Sequence, residues 1–368
     1  MTKRLKGYRA MEIGSIFEIT PRSLFVEPKE GCGVFPFEGN NKWSFSYFNT
    51  GRAAIEALFV YLKGQGKRKV WLPGYNCSSV LDSAKRAGID IELYEVDRGL
   101  NIDSSVFGKL QRSDILYLVN FFGKPELHNT LELVRAAQKK NIVIVEDLTL
   151  GLLSKGENVG FGDYLIGSVR KWLPITDGGF VASLNPLPDF KKEQAANDYT
   201  FYYFAAQIMK DSYLKDTTLD KQQFLDISNE GMKALFSDYT IREMSKVAKK
   251  VTYATDLNKV AFERYENYKY LYRLLSEISD LRLMVAPVDG MVPLGMVICV
   301  EDRDDLFKCL IQNNIYCNIH WRENESTKLF QDADYLSKHC LTIPCDQRYN
   351  HEHMDYICKT IKRYYHYV

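Results

Sequence analysis

The chain has 368 residues, 46% of them hydrophobic and 26% charged, which is enough apolar material to bury a large core shared between two units. Forty-eight Lys and Arg against 47 Asp and Glu leave a formal net charge of +1, excluding a global field that would recruit nucleic acid or an anionic membrane. Any phosphate site must therefore be local.

The opening stretch MTKRLKGYRAMEIGSIFEI is basic but lacks the apolar run of a signal peptide, and no uncharged apolar run reaches transmembrane length, so a cytoplasmic protein is expected. The eight cysteines (32, 77, 299, 309, 317, 340, 345 and 358) form no Cys-x-x-Cys pair, and the six histidines form no metal motif. The cysteines read as reduced and structural, and no metal is expected.

From about residue 50 the periodicities alternate. Thr50–Leu62 is helical, Lys69–Leu72 a short apolar run, and Ser79–Ala87 helical again. Ile91–Val96, Ile115–Phe121, Ile142–Val145 and Gly179–Ala182 read as strands, with a helix at Leu131–Lys140. The alternation predicts an α/β fold with a mostly parallel sheet covered by helices, whose ligands bind beyond the carboxyl ends of the strands. Residues 190–280 are richer in Tyr, Lys, Asp and Gln, and Asp256–Ile278 forms one long amphipathic pattern. After it come a strand at Met296–Val300, a helix at Asp304–Asn313, a strand at Ile315–Ile319 and a closing helix from about Glu352 to Tyr364. This predicts a large unit over 1–245 and a small C-terminal α/β unit over 246–368.

The segment GDYLIGSVRKWLPITDGGF, 162–180, places Lys171 three residues after Ser168 and ahead of a Gly-Gly pair. Pyridoxal-phosphate (PLP) chemistry needs such a lysine to hold the cofactor as a Schiff base and to shuttle a proton, with small neighbours letting the backbone approach the cofactor. The alternative is a solvated Arg170-Lys171 pair on a loop. Asp147 ends the apolar run Val143-Ile144-Val145-Glu146, where its carboxylate can face a protonated pyridine nitrogen or simply cap a strand exit. Asn49-Thr50-Gly51-Arg52-Ala53 opens a helix whose free N–H groups suit a phosphate ester, although Thr50 or Asn49 can equally be a plain N-cap.

In order and spacing these pieces resemble the DegT/StrS-type nucleotide-sugar aminotransferases, PLP enzymes of fold type I in the aspartate-aminotransferase superfamily. The resemblance spans roughly residues 45–365. It is carried by TGRAAI at 50–55, LPGYNC at 72–77, VNFFGKP at 119–125, Val145-Glu146-Asp147, Gly162-Asp163, Lys171 with Asp177-Gly178-Gly179, Arg264 with Asn267, Ile315-Tyr316, His320-Trp321 and LTIP at 341–344. It implies a fold-type I transferase with a seven-stranded type of sheet and a smaller C-terminal α/β unit. Lys171 would be the Schiff-base lysine and Asp147 the pyridine partner, with the backbone at Gly51, Arg52 and Ala53 cradling the phosphate. It also implies a homodimer with shared active sites. An amino group would pass from glutamate or glutamine, through pyridoxamine phosphate, to a keto-sugar nucleotide for a surface polysaccharide or other glycoconjugate.

The chain departs from the family pattern at several positions. Leu150 stands where a glutamine or histidine usually contacts the cofactor's 3-oxygen, and leucine cannot make that bond; Asn120 is the candidate substitute, or else a turn residue. Ser168 is a phosphate ligand shifted from five residues before the lysine to three. Arg52 replaces a small hydroxyl residue, and its guanidinium would meet the phosphate or a surface acid. Cys77 takes the place of a stacking aromatic ring, with Tyr75 two residues away. Asp177 replaces a glutamate. His320 and Trp321 are candidates for the substrate's edge of the site, and Tyr239 and Arg242 candidates supplied by a partner subunit, each equally readable as structural. An aminotransferase is the leading expectation. A PLP-dependent sugar dehydratase is opposed by Lys171, since the related dehydratases carry a histidine there, and a non-catalytic sugar-nucleotide binder is opposed by the retention of Asp147 and Lys171.

Overall fold

The computed structural model of the protein describes residues 12–39, 42–125, 128–157, 159–216 and 218–367, so the basic opening stretch through Met11 lies outside them. The strands are β1 (Ile13–Gly14), β2 (Ser44–Phe48), β3 (Lys69–Pro73), β4 (Asp90–Tyr94), β5 (Asp114–Val119), β6 (Val143–Asp147), β7 (Tyr164–Gly167), β8 (Gly179–Ser183), β9 (Arg282–Leu283), β10 (Met296–Cys299), β11 (Ile315–Tyr316) and β12 (Cys340–Ile343). The helices are α1 (Gly51–Gly64), α2 (Ser78–Ala87), α3 (Val106–Lys109), α4 (His128–Lys139), α5 (Asp198–Lys215), α6 (Lys221–Ser237), α7 (Lys246–Ala254), α8 (Leu257–Leu275), α9 (Arg303–Gln312), α10 (Gln331–His339) and α11 (His351–Tyr364).

Seven strands form one sheet in the order β2-β8-β7-β6-β5-β3-β4. The run from β7 to β4 is parallel, and β8 is antiparallel to both β7 and β2. The central strands are largely apolar and buried: every residue of β5 is buried, and only Val143 of β6 is partly open, the acids Asp114, Glu146 and Asp147 lying at the strand ends. The parallel strands send their carboxyl ends to one edge, where Asp147 ends β6 and Tyr75 to Cys77 follow β3.

A second sheet, β12-β10-β9, is antiparallel, with α9 against β12 and with α11 packed on both α8 and α9. The expected mixed fold is therefore present. Two strands of the large sheet, β2 and β7, and the helical hairpin of α5 and α6 are additions to the sequence reading. No helix among the described residues is long and apolar enough to cross a membrane.

The chain's beginning is tied to its end. Strand β1 pairs in parallel with β11, and buried cations hold the backbone after it. Lys210 donates to the carbonyls of Gly14 and Ile16 at 3.2 and 2.7 Å, and Arg348 donates to the same two at 3.4 and 3.1 Å. Glu12, which is 2% exposed along its side chain, pairs with Lys210 at 3.3 Å and Lys221 at 2.6 Å.

Candidate active site

Two turns and a strand end converge on a cavity of about 230 Å³. Asp147 reaches it from β6, held by two donors: Tyr117 on β5 gives its hydroxyl to Oδ2 at 2.7 Å, and the Thr149 N–H goes to Oδ1 at 2.8 Å. Both carboxylate oxygens are thus oriented before any ligand arrives.

Lys171 ends a single 3₁₀ turn, Val169–Lys171, that follows β7. Among the described residues its amine has no hydrogen-bond or ion-pair partner. Burial pulls its pKa below the ordinary lysine value; the Arg170 charge pulls the same way, against Cys77 and Asp147. A lysine eased toward its neutral form is the nucleophile that condensation with an aldehyde requires.

The floor is the N-terminus of α1. Thr50 is its N-cap, accepting the Ala53 N–H at 3.1 Å. This commits Ala53 to the cap, and the first-turn N–H groups of Gly51 and Arg52 are left to face an anion. A side-chain carbon on Gly51 would meet the Ser168 hydroxyl at 3.6 Å, so that hydroxyl sits over the helix end. The Gly-Gly pair explains the approach: a side chain on Gly179 would lie 2.4–2.5 Å from the Thr50–Gly51 backbone, and Gly178, at φ +139°, donates to the Asn49 carbonyl at 2.7 Å.

The remaining expected residues divide. Cys77 lines the cavity, its Sγ 3.0 Å from the Ser79 hydroxyl. Leu150 lines it as an apolar wall. Arg52 reaches it with its stem, but its guanidinium donates to the carbonyls of Leu235 and Asp238, the latter at 2.8 Å, which secures the end of α6 instead of facing a phosphate. Asn120 lines neither this cavity nor the next one. Its Oδ1 is buried without a partner, only 2.4 Å from where a side-chain carbon on Gly151 would stand. Tyr75 is also off the wall, fully buried between Phe121 and Trp321 with its hydroxyl on the His320 carbonyl. The aromatic rings on the wall are those of Trp321 and Phe236.

Tyr239 and Arg242 line neither the Asp147 cavity nor the space on the other side of Lys171; Tyr239 borders a separate pocket with Arg86 and Glu193. The Tyr239 ring sits under the guanidinium groups of Arg52 and Arg86 at 4.5 and 4.6 Å, and Arg242 pairs with Asp238 and Glu193, each at 3.3 Å. Asp177 is fully buried and holds Ser245, the N-cap of α7, by accepting its N–H and hydroxyl, both at 2.6 Å.

On the other side of Lys171 and Arg170, which line both spaces, lies a larger cavity of about 470 Å³. Residues 14–17 wall it together with Tyr203 from α5 and Asn318, His320, Thr342 and Arg348 from the C-terminal part. His320 donates or accepts through Nδ1 with the Thr342 hydroxyl at 2.9 Å. Its pKa is pushed down to about 3, by burial first and by the Lys171 charge second, so the ring is neutral. Arg348 is matched by Asp346 at 2.8 Å and Glu18 at 3.6 Å. Sequence reasoning could have found Thr149 from its spacing to Asp147. Nothing local marks Arg348 or Tyr203.

No protein-family model and no curated protein matches the sequence. Solved structures match the fold closely. The Escherichia coli GDP-4-keto-6-deoxy-D-mannose-3-dehydratase with bound hydrated PLP aligns with a TM-score of 0.66 over 95% of this chain and 100% of that one, at 15% identity. The chain has the fold of the DegT/StrS-type sugar aminotransferases. The sugar aminotransferase CalS13 from Micromonospora echinospora aligns at 0.60 over 87% of each chain, with 16% identity. A DegT/DnrJ/EryC1/StrS aminotransferase from Brucella abortus aligns at 0.59 over 87% and 85%, with 13% identity. This is fold type I of the PLP-dependent enzymes, as the sequence motifs imply.

Proposed function

We propose that the protein is a PLP-dependent aminotransferase that moves an amino group from an amino acid, glutamate or glutamine, to a keto-sugar nucleotide. The observation that carries the reading is the unpaired Lys171 amine standing between two cavities, one of which also holds the doubly anchored Asp147.

The residues present fit PLP. The N–H groups of Gly51 and Arg52 with the Ser168 hydroxyl suit its phosphate, Asp147 its ring nitrogen, Trp321 and Cys77 its flanks, and Lys171 its aldehyde carbon. Bound there, PLP supplies an electron sink for the carbon that loses or gains a proton. Lys171 holds and moves that proton, reaching either cavity without leaving its turn. Asp147, fixed by Tyr117 and the Thr149 N–H, presents its carboxyl group where a pyridinium nitrogen would lie. Neutral His320, beside the lysine, offers a hydrogen bond to the substrate without repelling a Lys171 cation. Leu150 makes one face apolar, so no hydrogen bond to a ring oxygen comes from it.

The polarity of the larger cavity, the 1–245 and 246–368 division, a homodimer that completes the site and a role in polysaccharide or glycoconjugate synthesis belong to the same reading. A sugar dehydratase is the second reading, favoured by Leu150 and by the E. coli dehydratase among the structural neighbours.

The experiment is incubation with PLP, borohydride reduction and peptide mass spectrometry, followed by L-glutamate with assay of 2-oxoglutarate. A pyridoxyl group on Lys171 and release of 2-oxoglutarate are expected. A labelled lysine with no release from any amino donor overturns the aminotransferase, and loss of oxygen from a keto-sugar nucleotide without gain of nitrogen establishes the dehydratase.

A further inference from the structure

Three arginines line the larger cavity, and two of them are already engaged. Arg348 is held by Asp346 and Glu18. Arg264, almost wholly buried, donates to Gln347 at 2.7 Å and to the Leu294 carbonyl at 3.1 Å, with its guanidinium 4.4 Å from the Trp172 ring. Arg170 differs. It immediately precedes Lys171 and lines both cavities. Its Nε is shut off from solvent with no hydrogen-bond partner, and among the described residues no carboxylate pairs with it.

Its neighbours are phenols. The Tyr199 ring lies 6.0 Å from the guanidinium, and the Tyr199 hydroxyl donates to the Thr176 carbonyl at 2.6 Å. Tyr203 lines the same cavity. A guanidinium stays charged at any pH the fold survives, and enclosing it without a counter-charge is costly. Asp346 is the acid on this wall, and both its oxygens are taken by Arg348 at 2.8 Å. A fork of donors without an acid, beside the reactive lysine, suits an anion that arrives with a ligand.

We infer that Arg170 makes the larger cavity a subsite for an oxyanion group of the substrate, a carboxylate or a diphosphate, held while the reacting carbon sits at Lys171. The carrier of that group, amino donor or sugar nucleotide, rests on the aminotransferase reading; the binding of the anion does not. The cofactor's phosphate has its own cradle at α1 and Ser168, on the far side of the lysine.

The test titrates the PLP-treated protein with succinate and, separately, with uridine diphosphate by calorimetry, in the wild type and Arg170→Met. One of the two ligands should bind about ten- to a hundredfold more weakly to the variant, and which one identifies the carrier, while the Kd for PLP changes by less than about threefold. Arg170→Gln carries the same expectation if the methionine variant fails to fold. Equal binding of both ligands in wild type and variant, no binding of either to the wild type, or a loss confined to PLP would each overturn the subsite. If the wild type takes no PLP on Lys171, the aminotransferase reading falls, and the same titrations still decide the role of Arg170.

Discussion

The two cavities that share Lys171 are built in opposite ways. The Asp147 cavity takes its key groups from turns that directly follow or precede strands of one sheet, so each lies within a few residues of a recognisable local pattern. The Arg348 cavity is assembled from residues 14–17, 170–171, 203, 318–320 and 342–348, which meet only when the whole chain has folded. On the proposed reading, the groups for PLP chemistry rest on short-range geometry and those that would select a substrate rest on long-range packing.

The most decisive attempt to break this contrast is Lys171→Ala, which should abolish covalent PLP attachment, read as the absence of a pyridoxyl peptide after borohydride. Asp147→Asn should slow 2-oxoglutarate release by about 10²- to 10³-fold while leaving that peptide detectable; a smaller loss would mean the carboxylate is only a strand-end cap. On the other side of the lysine, His320 has a folded pKa of about 3, below its ordinary value of 6.5. The unfolded chain therefore takes the proton first as pH falls, so stability is complete above about pH 6.5 and is lost toward pH 3. Urea titrations should show the wild type losing about 3 kcal/mol between pH 7 and pH 4 that His320→Gln does not lose. The smallest effect expected is from Tyr117→Phe, which strips Asp147 Oδ2 of its donor: about 1 kcal/mol of stability by urea titration, with a few-fold slower half-reaction.

The same contrast governs how much was legible. Apolar runs located β3, β5 and β6 within a few residues, because buried parallel strands are apolar along most of their length, and the edge strand β4 showed in its alternating Ile91 and Leu93. Strand β2, SFSYF, was missed since its first four residues are only half buried and serine alternates with aromatic rings; β7 was missed because it is four residues ending in glycine. Helix α5 buries Gln207, Lys210 and Asp211 beside its apolar residues, so no apolar stripe announces it. In the site, Lys171, Asp147, Gly51, Cys77 and Ser168 converge as the motifs suggested. Arg52 and Asn120 are displaced because a side chain's direction depends on neighbours, here the end of α6 and Gly151, that no spacing rule reports.

The strap that follows β1 gives the larger cavity an unusual place in time. Gly14 donates its N–H to the Tyr349 hydroxyl, 335 residues further on, at 2.7 Å, and Arg348 grips the same stretch. During synthesis on the ribosome residues 14–17 lack these partners until Arg348 and Tyr349 have been made. Most of the Asp147 cavity's wall is available once residue 237 has emerged, all but Trp321, whereas the space beyond Lys171 cannot be walled before Arg348 is made. A nascent protein would thus hold a lysine poised for its cofactor well before it owned a chamber in which to be selective.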